Sequence, residues 1–205
     1  SSEVADAQPA EQALLSLLIA AGAQPISYRA ENGGKLAVNI VRQLQETRDR
    51  RLYEKSIGAL RGHTDGSFYP TPQEYLGGYT KYSCSPDFVG LAGMRNPDRV
   101  STRLAILSDG RSERTDEEKI ELQKPIFILR PQTTFSLPPT LMRVGPILWQ
   151  EQAGHWCCRF SHSKIAVARE SHPKAYEALE NFSHAVARSY QDIALEPGEV
   201  LIFNN

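Results

Sequence analysis

"KPIFILRPQTTFSLPPTLMRVGPILWQEQAGHWCCRFS", residues 124–161, decides the fold class. Three runs inside it, "KPIFILRP" (124–131), "VGPILWQE" (144–151) and "HWCCRFS" (155–161), are short and rich in β-branched and aromatic residues. Pro, Gly and polar residues separate them, so each reads as a strand bounded by turns. Working outward, "QPISYRA" (24–30), "KLAVNIV" (35–41), "PDFVGLAGM" (86–94) and "STRLAILS" (101–108) have the same character. At the C-terminal end, "LEPGEVLIFNN" (195–205) places a Pro-Gly turn before one more strand, "EVLIF". Many short strands with turn chemistry between them predict a mostly β fold, two antiparallel sheets face to face in a jelly roll.

Helical spacing is confined to three places. "PAEQALLSLLIAAG" carries apolar residues at helical intervals and a closing glycine, which predicts a helix over 9–21. "TDEEKIELQ" (115–123) offers Thr115 as a cap and acids in the first turn. "HPKAYEALENFSHAVARSYQDI" (172–193) aligns Ala175, Leu179, Phe182, Ala185 and Val186 on one stripe for packing on a sheet. No repeat, linker or low-complexity segment divides the chain, so residues 1–205 are expected to form a single domain.

The chain has 205 residues, 40% apolar and 23% charged, which suits a globular core. Twenty-three basic and 24 acidic residues give a net charge of −1, so no broad field draws it to nucleic acid or to an anionic membrane. The longest apolar run lies within "ALLSLLIAAGA" (13–23) and is too short to span a bilayer, and no basic leader precedes it. A soluble cytoplasmic protein is the expectation. Cys84, Cys157 and Cys158 are too few for a disulfide framework or a zinc site, and read as buried or spare thiols.

Chemistry concentrates in "RGHTDGSFYP" (61–70). Alternate residues of an extended segment share a face, so His63 and Asp65 converge on one point as an imidazole nitrogen and a hard carboxylate. With a second histidine from a distant strand they would form the facial triad of a non-heme iron site. Taken alone, the triplet reads first as a polar turn, its histidine a surface group or cap, and only second as half of a metal site.

The order helix, strands, "HTDGSF", strands, "RVSTRLAILS", acidic helix, "PIFILRP", "PILWQ", "HWCCRFS", long helix and "LEPGEVLIFNN" resembles the iron- and 2-oxoglutarate-dependent oxygenases of the taurine dioxygenase and clavaminate synthase-like superfamily. The likeness covers roughly residues 24–205 and rests most on "HTD" followed by an aromatic and on the Pro-Gly-acid turn into a strand ending in Asn. It implies that His63 and Asp65 bind Fe(II) and that Thr102, or Ser101 if the register differs by one, contacts 2-oxoglutarate. Phe68 would wall the substrate pocket or fill the core, and Arg159, Ser161 and Ser163 would lie near a small polar, amino-acid-like substrate. O2 is the remaining cosubstrate, succinate and CO2 the expected by-products, and an aspartate at position 65 argues for oxygenation over halogenation.

The resemblance also implies a distal histidine and a 2-oxoglutarate-binding arginine soon after "EVLIFNN", so both are expected beyond Asn205. His155 and His162 flank a strand and do not follow the Pro-Gly turn, while His172 and His184 belong to the long helix. Two other readings remain open: a non-catalytic jelly-roll binding protein, and a cupin-type metal isomerase that uses His63 and Asp65 without 2-oxoglutarate.

Overall fold

A computed structural model describes residues 7–27, 29, 32–38, 40, 61–71, 74, 83–133, 135, 137–138, 140–151 and 153–205. In chain order the elements are α1 (Gln8–Ala20), β1 (Phe88–Ala92), β2 (Thr102–Ala105), α2 (Leu107–Ser112), α3 (Asp116–Leu122), β3 (Phe127–Leu129), β4 (Arg143–Gly145), β5 (Leu148–Gln150), β6 (Trp156–Cys158), β7 (Ile165–Ala166), α4 (Pro173–Arg188), β8 (Tyr190–Ile193) and β9 (Val200–Asn204). The described strands form small antiparallel sheets ordered β1–β9, β2–β8, β4–β3–β7 and β5–β6. The fold is β-rich with flanking helices.

Local chemistry accounts for the helices. Thr115 accepts the Glu118 amide while Glu118 accepts the Thr115 amide, a capping box that starts α3 where the sequence places it. The same Glu118 carboxylate accepts from Asn181 at 2.6 Å, tying α3 to α4. Helix α4 buries Ala175, Leu179, Phe182 and Ala185 of the predicted stripe, with Val186 half-buried at its edge and Ala178 and Ser183 added. These pack with Leu122, Phe127, Ile147, Leu148, Phe160 and Val167 in the main apolar core. Helix α1 lies over β1, where Gly90 leaves room for it: a Cβ there would meet Leu14 Cδ1 at 2.7 Å.

Four expectations are corrected. The run 101–108 is not all strand, because β2 ends at Ala105, the last residue paired with β8, and the chain turns into α2. The run 144–151 is two strands in different sheets, since Pro146 has no amide for a continuous ladder. The helix expected over 172–193 stops at Arg188, and Tyr190–Ile193 becomes β8 by pairing with β2. "QPISYRA" and "KLAVNIV" form no strand among their described residues, and Leu36, Val38 and Ile40 are exposed with no ladder partner there. Tyr28, Ala30, Asn39 and Val41 of those runs lie outside the described residues.

Candidate metal centre

Core packing sets the site's position. Phe160 is buried and meets Phe182 of α4 edge-on, with centroids 5.6 Å apart. Beside it, the Thr64 amide donates to the Phe160 carbonyl at 2.8 Å, and the Thr64 hydroxyl accepts the Phe160 amide at 3.2 Å. The His162 amide donates to the Gly62 carbonyl at 3.1 Å, so residues 62–64 run antiparallel to 160–162 with His63 directly opposite Ser161. Both hydrogen bonds flank this pair, which makes it the closely spaced kind with neighbouring side chains on one face. Gly62 cannot carry a side chain here: a Cβ would lie 2.0 Å from the Tyr190 hydroxyl.

The triplet acts as alternation requires. Thr64 faces back into the ladder, and His63 and Asp65 converge with Nε2 and Oδ1 3.4 Å apart. His63 Nδ1 lies 2.8 Å from the Arg61 carbonyl, which can only accept, so Nδ1 carries the proton and Nε2 faces Asp65. The hydrogen bond to Asp65 raises the imidazole above the ordinary histidine value, against burial, which lowers it; the Arg61 carbonyl and the Asp65 charge add to the rise. A group that holds a proton between a nitrogen and a carboxylate can hold a divalent cation there instead. The geometry fits one: cis donors about 2.1 Å from an octahedral ion stand about 3 Å apart. An imidazole that donates its other N–H to a backbone carbonyl is the usual arrangement of a metal-bound histidine.

The backbone beyond Asp65 is held from three sides. Gly66 turns the chain with φ +65°, and a Cβ on it would press within 3.1 Å of the Ser85 Cα. Asn205 accepts the Asp65 amide and donates to its carbonyl. Arg143 donates to the Phe68 carbonyl at 3.1 Å and Arg159 to the Tyr69 carbonyl at 3.4 Å, while both flank the Glu74 carboxylate.

Comparison with known proteins bears on the fold. The sequence matches no family model and no curated protein. Among solved structures, the chain is similar to the non-heme iron oxygenase OrfP in complex with Fe and alpha-ketoglutaric acid, with TM-score 0.73 and 22% identity over 95% of this chain and 55% of that one. It is similar to asparagine oxygenase in complex with Fe(II), 2S,3S-3-hydroxyasparagine and succinate, with TM-score 0.71 and 21% identity over 93% and 55%. OrfP in complex with Fe alone gives TM-score 0.68 and 20% identity over 100% and 58%.

The chain has the fold of the non-heme iron oxygenases.

It spans little more than half the length of these neighbours. Within the non-heme iron oxygenase fold, the expected residues are placed unevenly. His63, Asp65 and Ser161 share a face. Phe68 is a core residue, 4% exposed and edge-on to Tyr69. Arg159, 3% exposed, gives its guanidinium to Glu74 and the Tyr69 carbonyl and lies over the Trp149 ring, so it braces the loop after the triplet. Thr102 opens β2 three residues before Ala105, whose partner Tyr190 touches Gly62, and no described hydrogen bond joins Thr102 to the pair. Ser101 donates to Asp192 at 2.8 Å. His162 is bonded to Ser183 of α4 at 2.8 Å, turned away from the His63 face, and His155 is exposed beyond β5. Among the described residues no third His, Cys, Asp or Glu joins the pair.

Sequence reasoning missed Thr64, Glu74, Tyr190 and Asn205. Thr64 was legible in principle, because the middle residue of an alternating triplet must point the other way. The other three act through contacts that no local pattern encodes.

Proposed function

We propose that the protein is an Fe(II)- and 2-oxoglutarate-dependent oxygenase that oxidises, by default hydroxylates, a small polar, amino-acid-like molecule with release of succinate and CO2. The observation that carries the reading is the pair His63 Nε2 and Asp65 Oδ1, 3.4 Å apart, with Nδ1 locked on the Arg61 carbonyl. Residues 1–205 belong, in this reading, to one double-stranded β-helix domain whose opening holds that pair. The neighbours in fold support the substrate class: one OrfP structure holds (3S)-hydroxy-L-Arg and the asparagine oxygenase holds 3-hydroxyasparagine.

His63 and Asp65 would hold Fe(II) together with a third protein donor. When bound there, the ion with 2-oxoglutarate and O2 supplies the oxidising power that no side chain has. The chain's own residues orient the donors. Thr64 anchors the triplet on the core through Phe160, the Arg61 carbonyl selects the tautomer, and the Gly66 turn directs the chain away after Asp65. Ser161, across the ladder from His63, is the substrate-side contact most favoured by position. The roles of Phe68 and Arg159 are to brace this surface from beneath. The 2-oxoglutarate contact of Thr102 rests on resemblance to the family alone.

Anaerobic titration of the full chain with Fe(II), then 2-oxoglutarate, tests the reading. A weak visible charge-transfer band is expected, lost in His63→Ala and Asp65→Ala, with succinate formed in air on some member of a panel of free amino acids. Fe(II) binding unchanged by both substitutions, or absent in the wild type, would refute it. Thr102→Val should raise the KM for 2-oxoglutarate at unchanged Fe(II) affinity, and an unaltered KM removes Thr102 from the site.

A further inference from the structure

The Asp65 carboxylate is 49% exposed and, among the described residues, its side chain meets His63, so little packing around the side chain itself decides where it points. Its direction is set by the backbone, and the backbone is gripped chiefly by the Asn205 side chain. Asn205 Oδ1 accepts the Asp65 amide at 2.6 Å, and Asn205 Nδ2 donates to the Asp65 carbonyl at 2.8 Å and to the Pro86 carbonyl at 2.9 Å. A carboxamide thereby pairs with the amide and carbonyl of one residue as a neighbouring strand would, and fixes the dihedrals that aim its Cβ.

Asn205 is itself held in place. Its own amide donates to the Asp87 carbonyl at 2.9 Å, directly beyond the Phe88↔Asn204 pair that closes the β1–β9 ladder. The Ser85 hydroxyl adds a longer bond, 3.4 Å, to the same Asp65 carbonyl. The chemistry calls for a carboxamide. Aspartate has no donor for the two carbonyls, and serine has too few groups to engage all three partners.

We propose that Asn205 is a positioning residue for the metal centre: it holds the Asp65 main chain so that the carboxylate meets His63 at divalent-cation spacing. This rests on the proposed His63–Asp65 metal site. Groups that orient a metal ligand without touching the metal typically change affinity by roughly 10- to 100-fold when removed, which sets the expected effect.

The test uses the full chain and Co(II) alone, added anaerobically as a spectroscopic stand-in for Fe(II). Wild type should bind and Asp65→Ala should not. Asn205→Ala and the near-isosteric Asn205→Asp should bind roughly 10- to 100-fold more weakly, with an altered Co(II) visible spectrum. Thr115→Ala, which loses the α3 capping box far along the chain, provides a variant of lowered melting temperature that should keep wild-type Co(II) affinity. In the metal-free protein, hydrogen exchange at the Asp65 amide should accelerate in Asn205→Ala. Wild-type binding that Asp65→Ala abolishes and neither Asn205 variant weakens would overturn the positioning role and leave the metal site standing. Absence of Co(II) binding by wild type would overturn both. An Asp65 amide that exchanges equally fast in wild type and Asn205→Ala overturns the clamp itself. Should Asn205→Ala fail to fold, Asn205→Asp with native near-ultraviolet dichroism decides the matter.

Discussion

Replacing Glu74 with alanine tests how the loop after the His63–Asp65 pair is supported. The carboxylate accepts from Arg159, a residue 3% exposed, and from the Thr71 amide at 2.7 Å, and Arg143 stands 3.9 Å away. Removing it strands a buried guanidinium, and breaking a buried ion pair from one side costs about 3–5 kcal/mol. Glu74 is 21% exposed and Arg159 keeps the Tyr69 carbonyl and the Trp149 ring, so the lower end, about 3 kcal/mol, is expected. For a chain of this size that lowers Tm by roughly 6–12 °C. Burial pushes the Glu74 carboxyl up, but the Arg159 hydrogen bond, the Thr71 amide and the two arginine charges outweigh it and hold the pKa below the ordinary glutamate value. A depressed folded-state pKa means the contribution is complete above the unfolded value, near 4.5, and is lost as pH falls through the folded one. Urea melts of wild type and Glu74→Gln, run from neutrality downward, should therefore converge in acid. A double variant, Glu74→Ala with Arg159→Met, should regain much of the loss. A Glu74→Ala protein as stable as wild type, or a gap that does not close in acid, refutes the buried pair.

Thr64→Val keeps the shape but leaves the Phe160 amide without its acceptor, and should cost about 1–3 kcal/mol by urea denaturation; no loss would mean that the bond is idle. Gly66→Ala forces a side chain into positive φ and against the Ser85 Cα, so it should destabilise by at least about 1–2 kcal/mol and weaken Co(II) binding, with unchanged values refuting the turn. Burial pushes the Cys158 thiol up to about 12, and burial with the Glu151 charge pushes Cys157 to about 11. Both should react with a disulfide reagent at mildly alkaline pH far more slowly than in denaturant, and equal rates would contradict their placement.

The convergence of His63 and Asp65 was legible because it is local: two residues apart on an extended segment, they had to share a side. The capping box at Thr115 and the α4 stripe were legible for the same reason. What decided the remainder was pairing between distant segments. Tyr190–Ile193 continues a helical pattern and becomes a strand because β2 lies beside it. Arg159 reads as a free cation until Glu74, 85 residues away, arrives next to it. Pro146 was visible in the run 144–151, yet only the sheet order shows that it separates two sheets.

The Asp65–Asn205 contact joins residues 140 apart in the chain, and it forms alongside the β1–β9 ladder. Ribosomal synthesis delivers His63 and Asp65 long before the strand that secures them, and the entropy of closing so large a loop must be met before the ladder rewards it. Until then β1 waits as an open edge, the kind of surface on which nascent chains associate wrongly. In the proposed reading, ferrous ion loading would follow closure of the β1–β9 ladder instead of guiding the chain toward it.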